Sequence, residues 1–452
     1  MSRNKILTVC SLFIFFYACK KENSEIPPPE VLTTAQAKRV NVLKDVSTIL
    51  LEVYKDPVAL FEVNAAIYSE YYADETVLLK DLLYPEASKI YTSEKFKSIK
   101  APKGVFRARF VEEFNKGTFP YLKEALGNAS RDFSMIGLSA PGPALPDTAM
   151  EIFSNSSGVS IYFPYSENWG SYFTPTWFDN VNTDPFGVLA TIVTADRDAD
   201  SGPGQSARKT YVNNEPTIRY VAVTVDDVYA DKFMTHIVNI GAELNLPQQP
   251  PPPAPSPGVN RVYIGEMRCN YYHDKLISMS GQNKGGGNDV QVMRISGYLQ
   301  PINMQVTNYS GDIIPIKFKR RDVKKGIFRR TFSVWDADWI STNLEQVFVV
   351  YEDDDNITKT VTGGVTTTLT ASPGNSIVAT TNYSVTIPNA DVIMRQLKIS
   401  RNGYFTTAWS DQGWGYRPDK TFLQQSDPHG WGLYEGSPTG NLISWTWPYQ
   451  VF

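Results

Sequence analysis

The chain has little of what many enzymes and small secreted folds depend on. Of 452 residues only three are cysteine and three are histidine. His236, His273 and His429 fall in no HExxH or related metal-ligand spacing, which excludes the usual zinc-hydrolase pattern. A GxSxG nucleophile elbow is missing as well, since Gly137, Leu138, Ser139, Ala140 and Pro141 only approach it. Gly285, Gly286 and Gly287 are followed by no Walker lysine and threonine, so they read as a loop and not as a phosphate cradle. There is no internal repeat of fixed period and no coiled-coil heptad. Neither sign of charge dominates: 43 basic against 47 acidic residues leave a net charge of −4, so nucleic acid is not an expected partner.

What is present begins at the N-terminus. Arg3 and Lys5 precede an apolar run over residues 6–18 that is too short to span a bilayer, the pattern of a signal peptide. Ala18 stands directly before Cys19, and the junction resembles a bacterial lipobox, with Phe16 and Tyr17 departing from the usual leucine and small residue. The resemblance implies cleavage before Cys19 and acylation of its thiol, with palmitate among the chains attached. The competing reading is an ordinary secretory signal with an incidental cysteine. Several acyl chains would hold the protein stably, at about 0.8 kcal/mol per buried methylene. The expected address is the cell envelope, lipid-anchored at the outer membrane on its periplasmic or surface face. Cys10 would leave with the signal peptide, so Cys269 would be the one remaining thiol and no intrachain disulfide is expected.

Residues 19–32 are polar and end in Pro27, Pro28 and Pro29, which suits a tether. Residues 33–129 read as a helical region. Val40, Leu43, Val46, Ile49, Leu50 and Val53 recur at helical spacing, Asp56 and Pro57 suit an N-cap and first helical residue, and weaker patterns cover residues 77–84, 106–114 and 121–126. Residues 130–246 carry short β-branched and aromatic runs at 159–163, 188–194 and 218–225, a β domain. Residues 247–258 hold seven prolines and are read as an extended linker at about 3.1 Å per residue. Residues 259–452 bring further strands at 262–269, 290–298, 314–319, 328–335, 347–351, 376–387 and 397–400, in number and spacing suited to a C-terminal β-sandwich. The fold class expected is α+β, mostly β: a small N-terminal helical region followed by two sandwich-like β domains.

The segments at residues 161–169 (IYFPYSENW), 268–278 (RCNYYHDKLIS), 335–339 (WDADW), 345–355 (EQVFVVYEDDD) and 411–415 (DQGWG) resemble those of uncharacterised lipoproteins of Bacteroidetes-type bacteria. That resemblance covers most of residues 130–452 and implies an envelope address more than an activity. The carboxylate-ended strands WDAD and YEDDD are also similar to the loops of synaptotagmin-type calcium-binding sandwiches.

Candidate site residues are mostly acidic. Asp336 and Asp338 follow one strand and Glu352, Asp353, Asp354 and Asp355 another, so a shared sheet edge could gather their oxygens around calcium, a hard cation that relieves their repulsion. The bland reading is solvated loop tips. Asp196, Asp198 and Asp200 alternate like the start of an EF-hand loop, but Ser201 and Ala207 break the match, which favours a plain loop. The basic run from Lys317 to Arg330 straddles a Lys325-Gly326 turn and reads as a solvated hairpin, with a polyanion-binding face as the alternative. Trp409, Trp414, Trp431 and Trp445 could stack against sugar rings in a polysaccharide, or simply fill a core. Cys269 and His273, four apart, read as a buried thiol and its neighbour. No catalytic residue is identified.

The function expected is therefore a binding or interaction role for a membrane-anchored envelope lipoprotein, with a glycan or an envelope protein as ligand. The alternative is a glycan-active hydrolase with an unidentified carboxylate pair, for which Glu167, Glu266, Glu352 and Glu435 are all candidates.

Overall fold

Helix α1, Thr34–Val53, starts where the sequence offers a reciprocal cap: the Thr33 hydroxyl accepts from the Gln36 backbone N–H while the Gln36 side chain accepts from that of Thr33. Asp56 caps α2, Pro57–Tyr68, by accepting from the Val58 N–H at 2.9 Å, with proline in the first turn as expected. The computed structural model describes residues 33–125, 158–172, 188–213, 215–242, 244, 258–279, 285–299, 306–353, 358–372, 375–387, 390–407, 409–411, 414–416, 433–435 and 443–451. Cys19, the signal and tether segments, most of the proline-rich linker, Asp354, Asp355 and Trp431 lie outside them. Among the described residues no helix is long and apolar enough to cross a membrane.

The first unit is helices laid on a sheet. After α2 come β1 (Thr76–Leu78), α3 (Leu79–Leu83), α4 (Glu94–Ile99), α5 (Val105–Lys116), α6 (Pro120–Ala125), β2 (Val159–Tyr162), β3 (Val188–Thr194), β4 (Gly202–Val212), β5 (Glu215–Val225), α7 (Asp227–Lys232) and β6 (Thr235–Ile240). The strands lie in the order β1-β2-β6-β3-β4-β5, antiparallel throughout except for β3 beside β6. Two expectations are corrected here. Val77 and Leu78, taken as the start of a helix, form an edge strand paired with β2. Residues 33–129 and 130–246 also share one core, in which Leu43, Val46 and Leu50 of α1 pack with Ile161, Ile192 and Val238 of the sheet. The helical stripe alone has no partner, and the sheet supplies it.

Strand alternation gives the sheet a second buried face. Tyr162, Val193 and Ile237 point away from the helices and pack with Leu276 and Ile277 of the second unit. The second unit comprises β7 (Asn260–Cys269), β8 (Asn288–Leu299), β9 (Val306–Phe318), α8 (Arg320–Lys325), β10 (Arg329–Asp336), β11 (Glu345–Asp353), β12 (Lys359–Ser372), β13 (Asn375–Ile387), β14 (Ala390–Ser400), α9 (Arg401–Thr407), β15 (Trp409–Asp411), β16 (Trp414–Tyr416), β17 (Leu433–Glu435), β18 (Ile443–Thr446) and β19 (Pro448–Val451). It is a layered β structure. One sheet centres on β7, which pairs with β10 along one side and with β18 and β19 in succession along the other. A second sheet runs β14-β11-β8-β9. Phe348 and Val350 of β11 face the first of these, whereas Val347, Val349 and Tyr351 face the β12–β13 hairpin that covers the other side.

One buried histidine shows how apolar the first core is. His236 on β6 has no exposed surface, its Nδ1 lies 2.8 Å from the Tyr54 hydroxyl, and its ring meets Tyr54 and Phe163 edge-on. Burial lowers its pKa from 6.5 to about 3, so it is neutral in the folded protein. The unfolded chain takes up a proton below about pH 6.5 that the folded state refuses. Stability is therefore full above that pH and falls, by about 1.4 kcal/mol per pH unit from this group, until about pH 3. Denaturant melts across this range should show that His236→Gln, which cannot titrate, has a shallower acid limb than the wild type.

Candidate functional site

The basic run around residue 320 is not a hairpin, and only part of it is solvated: Lys324 and Lys325 are exposed, whereas Arg320 is buried. Residues 320–325 form α8, ended by Gly326 in the left-handed conformation at φ 60°. Local pattern carries charge density without direction, and Lys317, Lys319, Arg320 and Lys324 pair with acids of the first unit whereas Arg329 pairs with Asp322 of α8 itself. Arg320 is 1% exposed and makes a two-pronged ion pair with Asp227 at the start of α7, both N–O distances being 2.6 Å. Its Nη1 group donates to the carbonyls of Asp274 and Gly286, and its guanidinium lies 4.4 Å from the Tyr272 ring centre. Tyr165 donates to the same Asp227 carboxylate at 2.5 Å and sits 3.2 Å from the Tyr272 hydroxyl. Beside it Lys324 pairs with Asp231 at 2.7 Å, and Asn168 holds that carboxylate from the other side.

Lys319, one residue before α8, enters a denser group. Its ammonium lies 3.0 Å from Glu70 and 3.1 Å from Glu167, and Glu70 is paired in turn with Lys95. Glu167 shares a hydrogen bond with Glu75, which is almost wholly buried and accepts from the Ser166 N–H at 2.8 Å. Burial, then the neighbouring Glu167 charge, pushes the Glu75 carboxyl well above the ordinary range. Burial works against ionising Glu167 too, but the Glu75 hydrogen bond and Lys319 more than offset it and hold Glu167 down. The pair thus keeps one proton, on Glu75, and presents one negative charge to Lys319. Lys319 is held above its usual value by the three glutamates despite its burial.

This arrangement bears on the hydrolase reading, since it contains a carboxyl pair that sequence reasoning could not pick out. A retaining glycosidase holds its two carboxyls about 5 Å apart and an inverting one further. Glu75 and Glu167 are in direct hydrogen-bond contact and their charge is consumed by lysine. What they do is clamp the two units together.

The acidic loop of residues 196–200 serves the same seam. Asp198 accepts from the Ser278 hydroxyl at 2.8 Å and the Met279 N–H, Asp200 pairs with Lys275 at 2.9 Å, and Ala199 exchanges two backbone hydrogen bonds with Ile277. Asp196 lies half-buried on the same loop. The EF-hand likeness has no cation to explain, because the neighbouring segment supplies the donors.

Of the other acidic set, the described Asp336, Asp338 and Asp353 do not converge, and Asp354 and Asp355 lie outside the described residues. Asp336, at the end of β10, is buried against Arg294 at 2.8 Å and accepts from the Gln346 side chain, which places it at the start of β11. Asp353 is seven residues further along that strand, about 23 Å away at the usual rise, and accepts from Gln291. Asp338 accepts from the Asn260 N–H instead. Asp336 and Asp353 sit at opposite ends of β11, because the strand between them is nine residues long and runs through the core. Among the described residues no three histidine, cysteine or acidic side chains gather as a metal site.

Of the tryptophans, Trp445 is corrected from a ligand platform to a core residue: it is fully buried and stacks on Phe348 with ring centres 4.8 Å apart. Trp447, Trp335 and Trp339 extend the same aromatic cluster. The backbones of Trp409 and Trp414 lie on the paired strands β15 and β16. Cys269 is buried too, beside the Asn288 amide, and burial raises its thiol to about 11, which suits the structural reading.

Two outcomes test the seam. Arg320→Ala strands Asp227 and two carbonyls, at a cost of about 3–5 kcal/mol, and should split the calorimetric transition into separate unfolding of the two units. A single transition at the wild-type midpoint would refute the clamp. Protonated Glu75 has its pKa raised above the ordinary 4.5, so its contribution is complete below that pH and is lost as pH rises through its folded-state value. Glu75→Gln cannot ionise. Its melting temperature should gain on the wild type as pH rises above about 5, by about 2–4 °C for each kcal/mol relieved.

No protein-family model, no curated protein and no solved structure matches this chain.

Proposed function

We propose that the protein is an envelope lipoprotein, anchored through Cys19, that binds a protein or glycan ligand with a rigid two-unit body. The observation that carries this reading is the use of its buried charges. Arg320, Lys319, Asp227, Glu75 and Glu167, the groups a catalytic cleft would draw on, hold one unit against the other. A stiff body on a proline-containing tether suits presentation of a surface away from a membrane, where reach and fixed orientation matter more than an enclosed active site. The short apolar N-terminal run, Ala18 and Cys19 supply the anchor in this reading.

The test couples address to activity. Cells fed an alkyne-tagged fatty acid should label the full-length chain, and Cys19→Ala should abolish the label and release the protein from the membrane fraction. The purified protein should then bind a member of an envelope protein and polysaccharide panel saturably, with no reducing sugar released. Release of reducing sugar at enzyme-like rates would favour the hydrolase instead.

A further inference from the structure

Strands β4 and β5 bring two arginines together. Arg208 stands directly opposite Arg219 in a register of eleven pairs without a bulge, and side chains opposite each other on an antiparallel pair leave the sheet on the same face, with Cβ atoms about 5 Å apart. Alternation decides which face that is. Ala207 and Ile218, their neighbours in sequence, pack into the core beneath the helices, whereas Val223 and Val225, further along the arginine face, pack beside Leu276 and Ile277 of the second unit. That cover stops short of the pair: Arg219 is exposed and Arg208 half-buried.

Like charges directly opposite each other on paired strands are destabilising, and the described residues do not relieve these two. Neither arginine forms an ion pair with a described residue. Glu215, the acid of β5 on that face, is four residues from Arg219, about 13 Å along the strand. The acids of α7, which packs on β5, are committed elsewhere: Asp226 accepts from the Tyr229 N–H, Asp227 holds Arg320 and Asp231 holds Lys324. Two buried donors of the same face also lack an acceptor. They are Arg208 Nε and the hydroxyl of Ser206, a fully buried residue two positions before Arg208 on β4. A buried donor left unmade is costly, more so when it belongs to a charged group. Water accepts a hydrogen bond but does not offset two positive charges.

We infer that Arg208 and Arg219 bind a phosphate monoester, with its phosphate seated between the two guanidinium groups on this face of β4 and β5. A carboxylate has one charge and two oxygens, which a single guanidinium fork saturates. A phosphate monoester carries about two charges near neutral pH and three free oxygens, enough for both forks. The inference rests on the binding role proposed above and gives its ligand a phosphate group, whose source is either a soluble sugar phosphate or a lipid headgroup. It does not depend on the anchor.

The test is calorimetric titration of the full chain with glucose 6-phosphate, with glucose 6-sulfate, and with dihexanoyl phosphatidic acid, a soluble lipid phosphate. At least one phosphate ester should bind saturably, and the sulfate, of the same shape with one charge, should bind about fivefold more weakly than its phosphate counterpart or worse. Tighter binding of the sugar ester or of the lipid ester supports the site and assigns its source. Arg208→Gln and Arg219→Gln should each weaken the ester by about tenfold and reduce its salt dependence. Without ligand, Arg219→Gln should melt no lower than the wild type, since a repulsion is removed, and the ester should raise the melting temperature of the wild type alone. Unchanged affinity in either variant overturns the inference, as does an Arg219→Gln chain that is destabilised before ligand is added, which would assign the pair to the fold. Failure of both esters to bind also overturns it, and leaves the binding role itself to the wider panel of envelope proteins and polysaccharides.

Discussion

The guanidinium of Arg320 is the point on which the two units agree. A buried arginine is costly unless its donors are matched, and here a carboxylate, two carbonyls and an aromatic face surround the guanidinium from both sides of the seam. Asp227 comes from the first unit, while Asp274, Gly286 and Tyr272 come from the second. No partial assembly satisfies it, so separation of the units exposes an unpaired charge on each. Leu276 and Ile277 add the apolar half of the same contact against Tyr162, Val193 and Ile237.

A second consequence concerns the protein's chemistry. Clusters of ionisable residues with displaced pKa values often mark active sites, and Glu75 with Glu167 would qualify on that criterion alone. Geometry decides otherwise. The pair touches, is covered, and is compensated by Lys319, which has further glutamate at Glu70 to balance it. A similar economy governs the acidic loops: Asp198, Asp200 and Asp336 each have a neighbouring donor within hydrogen-bond reach, so the repulsion that would recruit a cation is already relieved.

Local structure was largely legible in the sequence. The α1 stripe, the Asp56-Pro57 start of α2, and strands at residues 188–194, 262–269 and 347–351 all lie where periodicity puts them. Errors arose where tertiary contact overrides pattern. Val77 and Leu78 join β2, and residues 320–325 coil into a helix in a basic stretch whose Lys325-Gly326 pair suggested a hairpin turn. The cap of α5 was invisible for another reason: Glu62, 42 residues before Gly104, accepts from the N–H groups of Gly104 and Phe106, doing for that helix end what a side chain at Gly104 could not.

By itself the sequence determined the kinds of element, their order along the chain, and the expectation of an acylated N-terminus, because capping, periodicity and signal patterns depend on residues within a few positions of one another. Which charges meet was decided only by the tertiary structure. Lys319 and Glu70 are 249 residues apart and Arg320 and Asp227 are 93 apart, and no local rule pairs them. The same distance in sequence separates a tryptophan that could grip a sugar from one that fills a core, since Trp445 and Phe348 become neighbours only when two sheets close on each other. Composition can supply charged and aromatic groups, but their roles follow from what the folded chain sets beside them.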